Sequence, residues 1–285
     1  MPRRWAVLLS VLLLMFALTP ACASADAPAL RGYTEEEGYQ YALFGRFPYD
    51  AAEDAPAQSV LWRVLGPGYP EPDDIINSDQ AAKGDVPVGV RYDEDVPEEY
   101  ADVFCLMTEY IIDAAQFNDV RDEVNGEALD YVDSAIARYV TTELTNRLLT
   151  PDEQSALVPM PGRGPGGSDA LLSLPTRRGE LHRTDYGFVE KDFLSRGWPR
   201  RRTDATPYAF MMGAVHVKGY SWYFTTDWRR YGFRWIAADN GHISVAGTDR
   251  EGGIRPVCYV HAQLLDCLGG SGTIDDPYVL TVKAP

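Results

Sequence analysis

Apolar and polar positions change period several times along this chain, and the changes mark its elements. The clearest period of two lies between Phe233 and Gly247. Phe233, Trp235 and Ala237 fall on one face, with Arg234, Ile236 and Ala238 on the other. After Asp239-Asn240-Gly241, the residues His242, Ser244 and Ala246 alternate with Ile243 and Val245. Asn-Gly suits a two-residue type I′ turn, because both central positions need positive φ. The run therefore predicts a hairpin. A lone hairpin is marginal in water, so strands over Gly219–Thr225 and Ile254–Val260 are expected to extend it. Upstream, Tyr39, Tyr41, Leu43 and Phe47 alternate as a first strand. The run from Val60 to Leu65 is a second, which places Trp62 in or near the core. The apolar run Val103 to Ile112 reads as a third, with a turn at Thr108-Glu109.

The period then lengthens. Leu129, Val132, Ile136, Val140, Leu144 and Leu148 recur at three and four, the spacing of one helix face. That helix is expected to start at Asp133 or Ser134 and stop at Leu149. Thr150-Pro151-Asp152-Glu153 then predicts a second, short helix ending before Pro159. Thr150 would be its cap, Pro151 its first residue, and Glu153 would close a capping box. "MPGRGPGGS" (Met160–Ser168) is the most flexible-looking stretch, and a helix-like piece follows over Asp185–Ser195. The sum is an α+β fold: one twisted, mostly antiparallel sheet packed with two principal helices and long loops.

The start of the chain stands apart from this pattern. Arg3 and Arg4 precede an apolar run from Trp5 to Leu18, and Ala23-Ser24-Ala25 is a small-x-small cleavage site. Residues 1–25 read as a secretory signal peptide, and the apolar run is too short for a spanning helix, which needs about 20 residues. Cys22 raises lipoprotein anchoring as an alternative, although Leu18-Thr19-Pro20-Ala21-Cys22 is a poor lipobox. Residues 26–37 are a polar leader, 38–268 a single α+β domain, and 269–285 a C-terminal tail with room for a final strand. Cleavage after Ala25 leaves 24 basic residues against 42 acidic ones, a formal charge of −18. Such a balance argues against a nucleic-acid partner.

In an oxidising compartment, Cys258 and Cys267 are the candidate disulfide, with Cys105 a buried thiol in Val103-Phe104-Cys105-Leu106-Met107. The run Asp93-Glu94-Asp95…Glu98-Glu99 fails the EF-hand spacing and reads as a solvated acidic face. His182, His216, His242 and His261 are scattered, no CxxC exists, and no metal site or cofactor is expected. HExxH, GxSxG, P-loop and Rossmann signatures are all missing, so no catalytic residue is assigned. Arg200-Arg201-Arg202 is a local basic patch, read as an exposed turn that balances nearby carboxylates.

Three separated elements resemble one family. "YALFGRFPYD" with "LWRVL", "YVDSAIARYVTTELTNRLLTPDEQSALV", and "TPYA" with "SWYF" and "GGIRP" occur in the order found in bacterial secreted domains of the domain of unknown function 6273 family. The resemblance runs over residues 38 to 260. It implies a C-type-lectin-like fold and says little about activity. Where the family carries a Leu-Arg-Ser-Pro-like element, Phe224-Thr225-Thr226-Asp227 stands instead.

Three functions follow as expectations. The first is an extracellular, non-catalytic recognition domain for a glycan or protein, with Trp228, Arg229, Tyr231 and Asp239 as candidate ligand-binding residues. Aromatic rings beside planar hydrogen-bonding groups suit such ligands. The second is a purely structural module. The third is an enzyme, because the formylglycine-generating enzymes have a related fold and use a cysteine pair, for which Cys258 and Cys267 are the candidates. Trp62, Trp222, Trp235 and Arg255 are assigned structural roles. Arg255, between Ile254 and Pro256, needs a carboxylate or backbone carbonyls to satisfy its donors; Asp239, Asp249 and Glu251 are the nearest acids in sequence.

Overall fold

A computed structural model describes residues 29–32, 34, 36–52, 55–68, 98–118, 131–175, 203–217, 220–229, 233–238, 243–247 and 249–284. Residues 1–25, the acidic run near Asp93, the Asn240-Gly241 pair and the Asp185–Ser195 segment lie outside them.

The fold is mixed α+β, with a few short helices and twisted, mixed sheets. Twelve strands are named in chain order: β1 Gln40–Phe47, β2 Gln58–Pro67, β3 Val103–Thr108, β4 Asp113–Gln116, β5 His216–Val217, β6 Tyr220–Arg229, β7 Phe233–Ala238, β8 Ile243–Gly247, β9 Glu251–Ile254, β10 Val257–His261, β11 Leu265–Cys267 and β12 Tyr278–Val282. They form two sheets rather than the one expected. The first runs β10-β3-β2-β1-β12-β11, the second β4-β9-β6-β7-β8 with β5 added on β6. β12 lies parallel to β1, and β9 parallel to β6; the other ladders are antiparallel.

What joins the sheets is one bent ladder. The expected strand from Val103 stops at Thr108, where a turn was expected, and a new strand starts at Asp113; the expected strand Ile254–Val260 is broken in two. β3 pairs with β10 in the first sheet and β4 with β9 in the second. The break falls at Thr108–Ile112 on one chain and Arg255-Pro256 on the other. Pro256 has no N–H to give the ladder and restricts Arg255 before it. The two chains nevertheless stay bonded across the bend, Thr108 N–H to Pro256 O at 3.1 Å and Ile112 N–H to Ile254 O at 3.0 Å.

The first sheet is buried on both faces, which is why β3 is apolar at nearly every position. Leu106, Cys258 and Val260 face one core with Ala42, Phe44, Trp62 and Val64, while Cys105, Met107, Val257 and Tyr259 face a second. The long helix α1 closes the first core with Ile136, Val140, Leu144 and Leu148. It consists of α-helical Ala135–Arg138, π-helical Tyr139–Leu144 and α-helical Thr145–Leu148. Ser134 caps it by accepting from Ala137 N–H. Helix α2, Pro151–Ser155, carries the full Thr150–Glu153 capping box. Helix α3, Pro207–Met211, is capped by Thr206, which accepts from Ala209 N–H, with Pro207 in its first turn.

Three expectations are corrected here. The Cys258–Cys267 disulfide is absent, and Cys105, Cys258 and Cys267 are all free thiols. β10 and β11 flank the short turn Ala262–Leu264 but leave it for different neighbours, β3 and β12. Cys258 is thereby enclosed in the core, while Cys267 turns its thiol to Gly269 O, 3.3 Å away. Second, the β7–β8 ladder pairs Ala237 with Ile243. An uninterrupted ladder closed by a two-residue Asn240-Gly241 turn would pair Ala237 with Ser244 instead; the turn itself lies outside the described residues. Third, the stretch at Met160–Ser168 is organised: Met160 bridges to Ala170, and Arg163 is buried.

Candidate binding site

The structure places the assigned residues unevenly. Trp62 is fully buried and donates from Nε1 to Phe44 O at 2.7 Å. Trp222 is half-buried on β6, packed against the first core. Trp235 pairs with Val245 in the β7–β8 ladder. Trp228 and Arg229 pair through their backbones with Arg234 and Phe233, beyond an irregularity in the β6–β7 ladder; their side chains lie outside what is described. Tyr231 and Asp239 lie outside the described residues altogether.

Arg255 sits at the bend of the joining ladder and is fully buried. Its Nε donates to Thr108 O at 2.8 Å and its Nη1 to Tyr223 Oη at 3.3 Å, with the guanidinium 5.3 Å from the Tyr223 ring centroid. A carbonyl and a phenol are thus among its partners. Burial lowers its pKa, and nearby Arg63 adds to the effect. Alongside, Arg63 is forked onto buried Glu109: Nε to Oε2 and Nη2 to Oε1, both 2.7 Å. Arg63 also lies over Tyr39, 4.8 Å from the ring centroid. Thr203 Oγ1 donates to Glu109 O, and Ile111 N–H bonds Asp204 O at 3.0 Å, so the segment before α3 is tied to the same bend.

A second arginine cluster begins at Asp113, where β4 leaves the bend, and reaches the surface. Asp113, the first residue of β4, is fully buried and accepts from Ala114 N–H at 2.9 Å. The Tyr139 hydroxyl donates to its other oxygen. Arg147 Nη1 stands 3.6 Å from that same oxygen and donates to Tyr139 Oη at 2.8 Å. Arg147 Nη2 donates to Tyr208 Oη, also at 2.8 Å. The guanidinium is stacked 4.8 Å from the Phe47 ring centroid, and Tyr208 meets Phe47 edge-on at 5.5 Å. Yet the Arg147 side chain keeps 41% of its exposure.

Local chemistry explains each placement. Residues eight apart on an α-helix are offset by roughly 80° around the axis. The wider π turn at Tyr139–Leu144 absorbs part of that offset and lets Arg147 reach Tyr139. Thr145 Oγ1 donates to Val140 O across this turn at 2.8 Å. Gly45, at φ +68°, lets the end of α1 approach β1; a Cβ there would stand 2.7 Å from Leu148 O. That approach sets Arg147 over Phe47. The Thr206-Pro207 cap starts α3 so that Tyr208 faces Arg147.

Electrostatically the cluster is a proton-donor surface backed by a buried carboxylate. Burial raises the Asp113 pKa, against the Tyr139 hydroxyl, the Ala114 N–H and Arg147, which favour its ionised form. Burial also pushes the Tyr139 phenol up, with Asp113 adding to the effect. Nearby Tyr49 is pushed up to about 12, again mainly by burial. These phenols are neutral donors and acceptors at physiological pH.

Sequence reasoning missed this site. Its residues come from four distant segments, and Arg147 alone reads as an ordinary exposed helix charge. The usable signal was Asp113, one carboxylate set in Ile111-Ile112-Asp113-Ala114-Ala115.

Away from this cluster, His216 Nδ1 lies 3.3 Å from the buried Ser221 Oγ across the β5–β6 pair. Burial drives the Cys258 thiol well above its ordinary value, opposite to what a reactive thiolate requires. Among the described residues no group of three or more His, Cys, Asp or Glu side chains could hold a metal ion, and no helix is long and apolar enough to cross a membrane. Compared with family models, curated proteins and solved structures, the chain matches none.

Proposed function

We propose that the chain is a secreted, non-catalytic recognition domain of C-type-lectin-like type, related to the bacterial domain of unknown function 6273 family. Its binding surface would be the Arg147 cluster with the exposed end of α3. The leader ending at Ala25 supports export, and the ordered resemblance over residues 38 to 260 supports the family. One observation carries the binding reading. Arg147 is held by Tyr139, Tyr208 and Phe47 yet stays partly exposed, with donors left over. A guanidinium fixed before binding loses little entropy when a ligand arrives. Tyrosine and arginine are also the residue types that dominate recognition hot spots. The test is a combined glycan and peptide array probed with the parent protein and Arg147→Ala. The reading requires at least one ligand whose signal vanishes in the variant; a set of ligands bound equally by both would overturn it.

A further inference from the structure

We infer that the Arg147 site takes the free carboxylate at the C-terminus of a peptide whose last residues are apolar. This rests on the recognition reading above and specifies its ligand.

The hydrogen-bond inventory sets the chemistry. Tyr139 accepts from Arg147 and donates to Asp113, so its oxygen and its proton are both engaged. Tyr208 accepts from Arg147 Nη2, but among the described residues no acceptor takes the Tyr208 hydroxyl proton. Arg147 uses Nη1 and Nη2, and among the described residues its Nε–H has no partner. Among the described residues, what remains unengaged at this surface is therefore two donors, the Arg147 Nε–H and the Tyr208 O–H. Such a set selects an acceptor-only group, and a carboxylate matches the fork of a guanidinium. A doubly charged phosphate is a poorer fit, because this single arginine is already partly compensated by Asp113.

The surroundings choose between carriers of a carboxylate. Tyr208, Met211 and Met212 stand at i, i+3 and i+4 along α3 and so share a face. Phe210, Met211 and Met212 are exposed at 42%, 52% and 41%. An apolar patch directly along the helix from the donors offers burial to an aliphatic side chain, and methionines adapt to varied shapes. An acidic sugar would instead set hydroxyls against these side chains. The site is thus complementary in both charge and polarity to an apolar residue ending in a carboxylate.

The experiment uses random hexapeptides tethered by their N-termini, one library with free C-termini and an identical one amidated. The protein, Arg147→Gln and Tyr208→Phe are applied to both, with oligogalacturonate as a competing acidic glycan. Enrichment is expected only on the free-carboxylate library, for peptides ending in apolar residues. Charged hydrogen bonds of this kind correspond to a loss of about tenfold or more in affinity for Arg147→Gln, and less for Tyr208→Phe. Melting temperatures of both variants should match the parent, which certifies the fold. Equal binding to amidated peptides, no enrichment on either library, or affinity untouched by both substitutions would each overturn the inference. Displacement or preference by oligogalacturonate would overturn the peptide while leaving the recognition reading. Failure of both libraries and of the glycan array removes that reading too.

Discussion

At the bend between the sheets, Arg63 and Arg255 lie among Glu109, Tyr39 and Tyr223, almost out of reach of water. At the end of α1, Arg147 lies among Asp113, Tyr139 and Tyr208 with its head at the surface. The parts are alike: arginine, tyrosine and one carboxylate. The difference is which member is buried. At the bend the guanidinium groups themselves are enclosed, and losing a partner strands a charge in the interior. In the second cluster only the carboxylate is enclosed, and the arginine can exchange its contacts for water or a ligand. Burial of the cation thus separates a cluster that holds the sheets from one free to bind.

The sharpest way to break this contrast is Glu109→Ala. It leaves Arg63 buried without its forked partner, and such losses cost about 3–5 kcal/mol. Urea denaturation should show that loss; a parent-like midpoint would mean water reaches the bend. Arg255→Ala comes next. It removes the bonds to Thr108 O and Tyr223 and leaves a cavity, together worth about 3 kcal/mol. In a chain of this size that is a fall of roughly 6–12 °C in melting temperature. If the variant melts like its parent, Arg255 does not pin the bend.

Asp113 sharpens the second cluster through pH. Its folded pKa is raised above the ordinary 3.8, so the folded state holds this proton more tightly than the unfolded chain. That contribution to stability is fully present below the ordinary value and is lost as pH rises through the folded one. The difference in melting temperature between the parent and Asp113→Asn should therefore move against the parent as pH rises from 3 to 7. A difference that does not change with pH would show that the carboxylate is not desolvated. Thr150→Ala touches neither cluster and serves as a scale, since losing a helix cap costs about 1 kcal/mol. Thermal unfolding should place it well above both bend variants in stability.

Legibility in the sequence followed the range of the interactions. The Thr150–Glu153 capping box is contained in four consecutive residues and formed as read. The strands around Trp62 and the helix after Ser134 follow from periodicity, and they appear with shifts of a few residues. Periodicity did not show that Ile254 and Val257 belong to different sheets. Pro256 marked that break, but the apolar residues on both sides of Arg255-Pro256 masked it. The β7–β8 register was not readable for a related reason: Asn-Gly states a local preference, whereas the ladder is set along its whole length. The Arg147 cluster was illegible because Asp113, Tyr139 and Tyr208 meet only after folding, and the π turn that aligns Tyr139 with Arg147 has no periodic signature.

The division between the clusters is tested most directly by measuring the unfolding free energies of Arg63→Ala and Arg147→Ala side by side in urea. Arg63→Ala strands the buried Glu109 carboxylate and should lose about 3–5 kcal/mol. Arg147→Ala removes a partly exposed charge and should lose no more than about 1 kcal/mol. Equal losses in the two variants would contradict the account, because Arg147 would then be part of what holds the fold together.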